Sequence, residues 1–190
     1  MSQTVLARIS TATAAEVCAR YNIKKDALAL LRDGMTPGEF LEALRVNNQW
    51  ASGIDFIAHA LPRPEGIWWA SLCLQHAYGE QWPEPDKAAC RAALLWVSQP
   101  GEENRVAAQA PAAAAGPLSP AGILAAGVYQ SGGNLAPPKA PPVAPPPFAT
   151  EKAVGNAIKI ASTKAGPSQI AELQRLFLDL GISVASGRVV

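Results

Sequence analysis

Cysteine and histidine are the residues of this chain with the widest chemical scope. Cys73 and His76 are three residues apart and would share one face of a helix, and His59 and Cys90 are the only plausible additional ligands. No zinc site is predicted, because the chain has no CxxC or HxxxH spacing. The same residues could form a Cys–His nucleophile pair, but Cys73 lies among Trp and Leu residues, which would raise the pKa of its thiol. We therefore predict no catalytic, metal-binding or cofactor-binding residue, and a Cys/His-dependent enzyme or toxin is the alternative.

The carboxylates and glycines are better explained by structural roles. Glu16, Glu39, Glu102 and Glu151 stand at the starts of predicted helices, where an acidic side chain caps free N–H groups and interacts favourably with the helix dipole. The Ser-Gly-Gly-Asn stretch at 131–134 lacks the following Lys and the strand that a phosphate-binding loop requires. It is predicted to be a turn.

The composition indicates a folded protein with one main domain. The 190 residues are 49% hydrophobic and only 16% charged, so charge repulsion does not keep the chain unfolded. The formal net charge is +1, with both signs spread along the chain. Such a surface offers no basic stripe for nucleic acid and no polybasic patch for a membrane. Neither is an expected partner.

A cytoplasmic location is expected from the N-terminal residues, the hydropathy and the cysteines. The first residues have no apolar core of signal-peptide length. No stretch of apolar residues is long enough to predict a membrane span. The three cysteines are odd in number and widely separated, which is typical of reduced thiols rather than of a disulfide framework.

Helix signals dominate the chain. Thr13–Glu16 and Thr36–Glu39 have the capping-box form, and the residues from Pro64 to Tyr78 are apolar nearly all round, as in a helix at the centre of a bundle. No segment alternates like a strand. The class is therefore all-α, a compact multi-helix bundle or stacked helical hairpins. The predicted helices are 14–21, 24–32, one starting at 37, 50–61, 64–78, 86–98, 101–109, 119–130, 150–162 and 168–180. Pro111 is interpreted as a break, and Gly181 as the stop of the last helix.

A proline-rich segment divides the chain. The stretch APPKAPPVAPPPFAT has seven prolines between Ala136 and Pro147. We predict a helical domain at 1–133, an extended arm at 134–149 that runs over this domain, and a C-terminal helical pair at 150–190. Two short helices cannot fold alone. They must dock on the first domain, on another copy or on a partner.

A partner-binding surface is predicted from large apolar residues. Adjacent Trp side chains point about 100° apart on a helix, so at least one of the pair should be core and the other free for recognition. The last predicted helix carries an apolar face that needs a docking site. The candidate partner-binding residues are Trp68, Trp69, Ile170, Leu173, Leu176 and Phe177.

Four motifs resemble a known family. They are TATAAEVCARY, ALLRDGMTPGEFLEAL, DFIAHALPRPEGIWWASLCL and SGGNLAPP, and the resemblance covers roughly Ala12 to Pro147. The chain is similar here to an uncharacterised family of small helical bacterial proteins encoded beside type VI secretion effector genes. The resemblance implies protein partners such as a secretion adaptor, an effector or a spike-tip protein, and it transfers no catalytic residue. We expect a non-enzymatic adaptor or co-chaperone, with self-association as a further alternative.

Overall fold

The computed structural model describes residues 6–137 and 139–188, and these ranges contain helices but no strand, which confirms the all-α class. None of the helices in the described ranges is long and apolar enough to cross a bilayer. The helices are α1 (Ala14–Cys18), α2 (Lys25–Leu28), α3 (Pro37–Val46), α4 (Trp50–Ala60), α5 (Arg63–Tyr78), α6 (Glu84–Ser98), α7 (Glu102–Ala107), α8 (Gln109–Ala115), α9 (Pro120–Tyr129), α10 (Ala149–Ala161) and α11 (Ile170–Ala185), with a 3₁₀ turn at Pro167–Gln169.

Two of the helices begin at the threonines predicted to cap them. The Thr36 hydroxyl accepts a hydrogen bond from the Glu39 N–H at 3.3 Å, and the Glu39 carboxylate accepts one from the Thr36 N–H at 2.8 Å. At the start of α1, the Thr13 hydroxyl accepts from the Glu16 N–H at 3.4 Å. These bonds satisfy N–H groups that have no partner within the first helical turn.

The last helix runs further than predicted. Gly181 was expected to end it, but α11 continues to Ala185. A Cβ atom at position 181 would lie 2.6 Å from the indole ring of Trp69. Gly181 is therefore a site where α11 packs closely against α5. Glycine often ends a helix, but here it is needed inside the helix to make room for Trp69.

Helix α8 was not predicted, because Pro111 was interpreted as a break. The proline lies in the first turn of α8, where a missing N–H breaks no helical hydrogen bond. The preceding helix ends at Ala107, and Ala108 joins the two. Proline thus marks a helix start here.

Helix α5 lies at the centre of the fold and packs against α6, α9, α10 and α11. Trp69, Cys73 and Leu74 of this helix have no exposed surface. The Trp69 indole N–H donates a hydrogen bond to the Phe177 carbonyl oxygen at 2.8 Å. This bond satisfies the polar atom of a buried Trp, and it joins α5 to α11.

The C-terminal helices dock on the chain itself. Helix α10 packs against α4, α5 and α9, and α11 packs against α4 and α5. Val154 and Ile158 of α10 and Phe177 and Leu178 of α11 are at most 1% exposed and belong to the same core as Trp69. The sequence left three docking sites open for these helices: the first domain, another copy or a partner. In the structure they dock on the first domain.

The proline-rich segment does not run over the helical domain as an extended strap. It turns back on itself: the Leu135 N–H donates to the Val143 carbonyl oxygen, and the Val143 N–H donates to Asn134 Oδ1, both at 2.8 Å. The described residues 139–144 are exposed. Proline has no N–H with which to bond to the helices, so the Val143 peptide provides the anchor.

Candidate functional site

A groove of about 550 Å³ lies between α8, α9 and α10, and we call it the α9 groove. A larger cavity of about 1200 Å³, lined by Val46 and by several charged side chains, lies beside α3. Apolar side chains from all three helices line the α9 groove, among them Ala112, Ile123 and Ala153. Polar side chains form its edge, including Gln130 and Asn156. A cavity of this size with an apolar floor and a few polar groups is typical of a binding site.

Small residues explain why the groove forms. A Cβ atom at Gly127 would lie 2.5 Å from the Ala153 Cβ atom, so the backbones of α9 and α10 approach closely only because glycine stands there. A Cβ atom at Gly122 would likewise collide with the Gly116 carbonyl oxygen at the end of α8. Alanines on the outer faces then leave the space above these contacts unfilled. The AAAAG and ILAAG sequences therefore produce a groove.

An exposed leucine stands next in sequence to a residue at one end of the groove. Leu118 follows Pro117, which lines the groove, in the turn between α8 and α9. Its side chain is 84% exposed, the largest value among the exposed large apolar residues in the described ranges. An isolated exposed leucine is ordinary, but one beside an apolar groove enlarges a contiguous patch.

Buried polar groups fix the Leu118 end of the groove. The Ser119 hydroxyl donates to one oxygen of Asp86 and accepts from the Gly122 N–H, and the Tyr78 hydroxyl donates to the other oxygen at 3.0 Å. Asp86 is only 6% exposed. Burial raises the pKa of Tyr78 to about 12, so its phenol stays a proton donor near neutral pH. The turn that carries Leu118 is held to α5 and α6.

A buried arginine fixes the other end of the α9 groove, at Tyr129. Arg105 is 3% exposed, and its guanidinium donates to the Tyr129 carbonyl oxygen and to both Glu102 oxygens, each of the latter at 2.7 Å. The guanidinium also lies 5.1 Å from the centre of the Tyr129 ring. Tyr129 lines the groove, so this contact holds its wall. A preformed groove loses little conformational freedom on binding.

The side chains that line the α9 groove are almost all uncharged. Among the described residues that line it, Lys152 is the only charged one, and its side chain is exposed. The other polar lining side chains are neutral amides and one phenol. This arrangement favours an apolar ligand with a carboxylate near one edge.

The predicted partner-binding residues fall into two groups. Trp69 and Phe177 have no exposed surface and lie in the core, so the prediction is wrong for these two. Trp68 is 38% exposed and lines a separate cleft of about 280 Å³ with Val97 and Val184.

The remaining predicted residues lie on α11, outside the groove. Leu176 is 36% exposed, and Ile170 and Leu173 are half-buried. The six predicted residues therefore do not form one surface.

The Cys and His residues are not gathered into one site. Cys73 is fully buried, and burial raises the pKa of its thiol well above the usual value. His76 is exposed and lies perpendicular to the Phe177 ring, whereas His59 is 3% exposed and stacks on Tyr21. Within residues 6–137 and 139–188, no three His, Cys, Asp or Glu residues are placed to hold a metal ion.

Sequence reasoning missed the groove altogether. The available signal was the small-residue pattern around Gly122 and Gly127, together with a leucine between two prolines, Pro117 and Pro120. Small residues at helical spacing predict close helix packing, but they do not show which helices meet.

Comparison with known proteins gives one match. The model of a family of unknown function (DUF6931) matches residues 40–185, a range that includes the whole groove. No curated protein and no solved structure matches the chain.

Proposed function

Because the chain belongs to this family of unknown function, we propose a role from its surface: a non-enzymatic adaptor or co-chaperone that holds a protein partner in the α9 groove. The observation that carries the proposal is the preformed apolar groove with the 84% exposed Leu118 at its end. Apolar pockets beside exposed anchors are where protein interfaces concentrate their binding energy.

The partner we propose is a type VI secretion effector or spike-tip protein. Support comes from the resemblance of four sequence motifs, among them SGGNLAPP at 131–138, to a family of proteins encoded beside such effector genes. An adaptor that helps to load an effector acts before export. We therefore propose that this chain acts in the cytoplasm.

The shape of the groove suggests what part of the partner it receives. Its length along α9, from Gly122 to Gln130, is roughly 12 Å at the helical rise of about 1.5 Å per residue. Two turns of a helix, or a short extended segment, would fill it. Lys152 favours a segment with an acidic residue at one side.

Co-purification with the neighbouring effector or spike-tip protein tests the proposal. Leu118→Glu removes an apolar anchor worth about 1.5–3 kcal/mol, so we expect affinity to fall by about 10- to 100-fold. Asn156→Trp, at the exposed edge of α10, should block the groove and weaken binding similarly.

The matched control is Val46→Glu, which changes a 71% exposed residue on α3, outside the groove, and should bind as the unaltered chain does. A chain that elutes alone, while the candidate partners associate normally without it, contradicts the proposal. A doubled mass that Leu118→Glu abolishes would instead show that a second copy occupies the groove.

A further inference from the structure

A second feature of the surface is the exposed stretch Pro-Pro-Val-Ala-Pro-Pro at 141–146, which we call the PPVAPP segment. A proline fixes its own φ near the polyproline II value, and it forces an extended ψ on the residue before it. Pro141, Pro145 and Pro146 are subject to both restrictions, and Ala144 to the second. The structure has no helix, strand or turn in this stretch. Its sequence therefore imposes a polyproline II conformation over most of its length.

The protein holds this segment by its backbone rather than by its side chains. The backbone of Val143 makes two hydrogen bonds of 2.8 Å. Its N–H donates to Asn134 Oδ1, and its carbonyl oxygen accepts from the Leu135 N–H. Asn134 Oδ1 also accepts from the Ala136 N–H at 3.0 Å, which orients the amide. At the far end, Phe148 adopts a left-handed conformation with φ of 55° and begins α10. A simple spacer needs no such anchors.

The side chains of the PPVAPP segment point to solvent on two of the three faces of the polyproline II helix. A polyproline II helix has three residues per turn, so Pro141 and Ala144 share one face and Val143 and Pro146 share the next. All four are exposed, and Val143 is 53% exposed. The remaining face carries Pro145, which is half-buried against the body of the protein. The segment thus presents an apolar ridge to solvent, although Pro145 packs partly on its own domain.

We propose that the PPVAPP segment is a ligand for an aromatic-lined groove on a partner protein. Such grooves recognise polyproline II segments because the rigid ligand loses little entropy on binding. The exposed Lys139 precedes the segment, so the fitting groove has an acidic residue beside its aromatic side chains. The inference goes beyond the proposed adaptor role, since it concerns the exposed ridge of the PPVAPP segment rather than the floor of the α9 groove. The two surfaces meet at Pro146, which also lines the groove.

The test uses isolated SH3, WW and EVH1 domains as probes, because their aromatic grooves bind polyproline II ligands. Each domain is titrated with the intact protein to about 1 mM, and binding is followed by the tryptophan fluorescence or NMR spectrum of the domain. We expect at least one domain to bind, and Val143→Asp to weaken that binding by about tenfold or more. Asn134→Ala, which removes the anchor of the segment, should weaken it by a smaller factor.

Two controls separate this inference from the α9 groove. Val46→Asp introduces the same charge at another exposed valine and should leave binding to the domains unchanged. Leu118→Glu should also leave it unchanged, while it weakens co-purification of the adaptor's partner. If no domain binds, or if Val143→Asp binds as well as the unaltered chain, the inference is wrong.

Discussion

At the scale of single residues, burial determines the protonation of His59. Its Nδ1 atom lies 2.8 Å from the Asp55 carbonyl oxygen, and its Nε2 atom is buried with no hydrogen-bond partner among the described residues. Burial lowers the pKa of His59 below its usual 6.5, although Asp55 and Glu151 act in the opposite direction. A second proton on this ring would place a charge where no acceptor meets it.

The stability of the protein should therefore fall as the pH drops below about 6.5. In that range the unfolded chain protonates His59 while the folded chain resists protonation, so protons favour the unfolded state. Urea unfolding between about pH 7 and pH 5.5 measures this as a decreasing midpoint. His59→Gln should flatten the decrease, whereas His76→Gln, at the other histidine, should retain it. A wild-type midpoint that stays constant over this range contradicts the prediction.

Burial also predicts that Cys73 is unreactive. Its thiol has no exposed surface and a strongly raised pKa, so little reactive thiolate is present. Alkylation near pH 8 followed by peptide mass spectrometry should leave Cys73 unmodified in the folded protein and modify it in denaturant. Rapid alkylation of folded Cys73 would contradict this and favour the Cys/His enzyme or toxin instead.

At the scale of helices, two buried glycines should respond to alanine in opposite ways. A Cβ atom at Gly66 would lie 3.6 Å from Val154, an ordinary contact, so Gly66→Ala should stabilise the protein by about 0.5–1 kcal/mol through lower chain entropy. A Cβ atom at Gly181 would lie 2.6 Å from the Trp69 ring, so Gly181→Ala should destabilise it by about 1–3 kcal/mol. Both substitutions lie inside helices, so each is the control for the other. Denaturant unfolding measures both, and changes of the same sign would contradict this account.

The helices also show which features a sequence can predict. The caps at Thr13 and Thr36 depend on residues three positions away, and both were predicted, but the reciprocal capping box forms only at Thr36. At Thr13 the Glu16 carboxylate accepts from the hydroxyl instead of the backbone N–H. Gly181 was misjudged because its neighbour, Trp69, is more than a hundred residues away in sequence. Pro111 was misjudged because proline suits both a helix break and a first helical turn. Local signals located these helix starts, and packing overruled such signals where helices cross. The predicted helices 14–21 and 24–32 were too long, since α1 ends at Cys18 and α2 at Leu28.

The candidate site was harder to predict for the same reason. Trp69 and Phe177 were assigned to a partner surface because apolar residues pack in cores and interfaces alike. Only the packing of α5 against α11 in the structure shows that Trp69 and Phe177 contact each other. The α9 groove escaped prediction because alanines and glycines carry no chemistry of their own.

At the scale of the whole molecule, the C-terminal helices are part of the fold. Val154, Ile158, Phe177 and Leu178 are at most 1% exposed, and each contributes about 1.5–3 kcal/mol on burial. Their joint contribution is comparable with the net stability of a typical domain, about 5–15 kcal/mol.

A chain that ends at Ser131 should therefore lose cooperative unfolding and the near-UV circular dichroism of packed aromatic residues. A chain that ends at Gly187, which is exposed, should keep both. If the chain that ends at Ser131 retained a sharp unfolding transition, the C-terminal helices would be an appendage rather than part of the core.

Site-specific photo-crosslinking in the native host tests the central claim, that the α9 groove holds a protein partner, most directly. A benzoylphenylalanine residue in place of Leu118 would stand at the end of the groove, and the same residue in place of Val46 is the matched control on α3. We predict that position 118 crosslinks to a type VI effector or spike-tip protein and that position 46 does not. Equal crosslinking from both positions, or none from position 118 while the partner co-purifies, would contradict the claim.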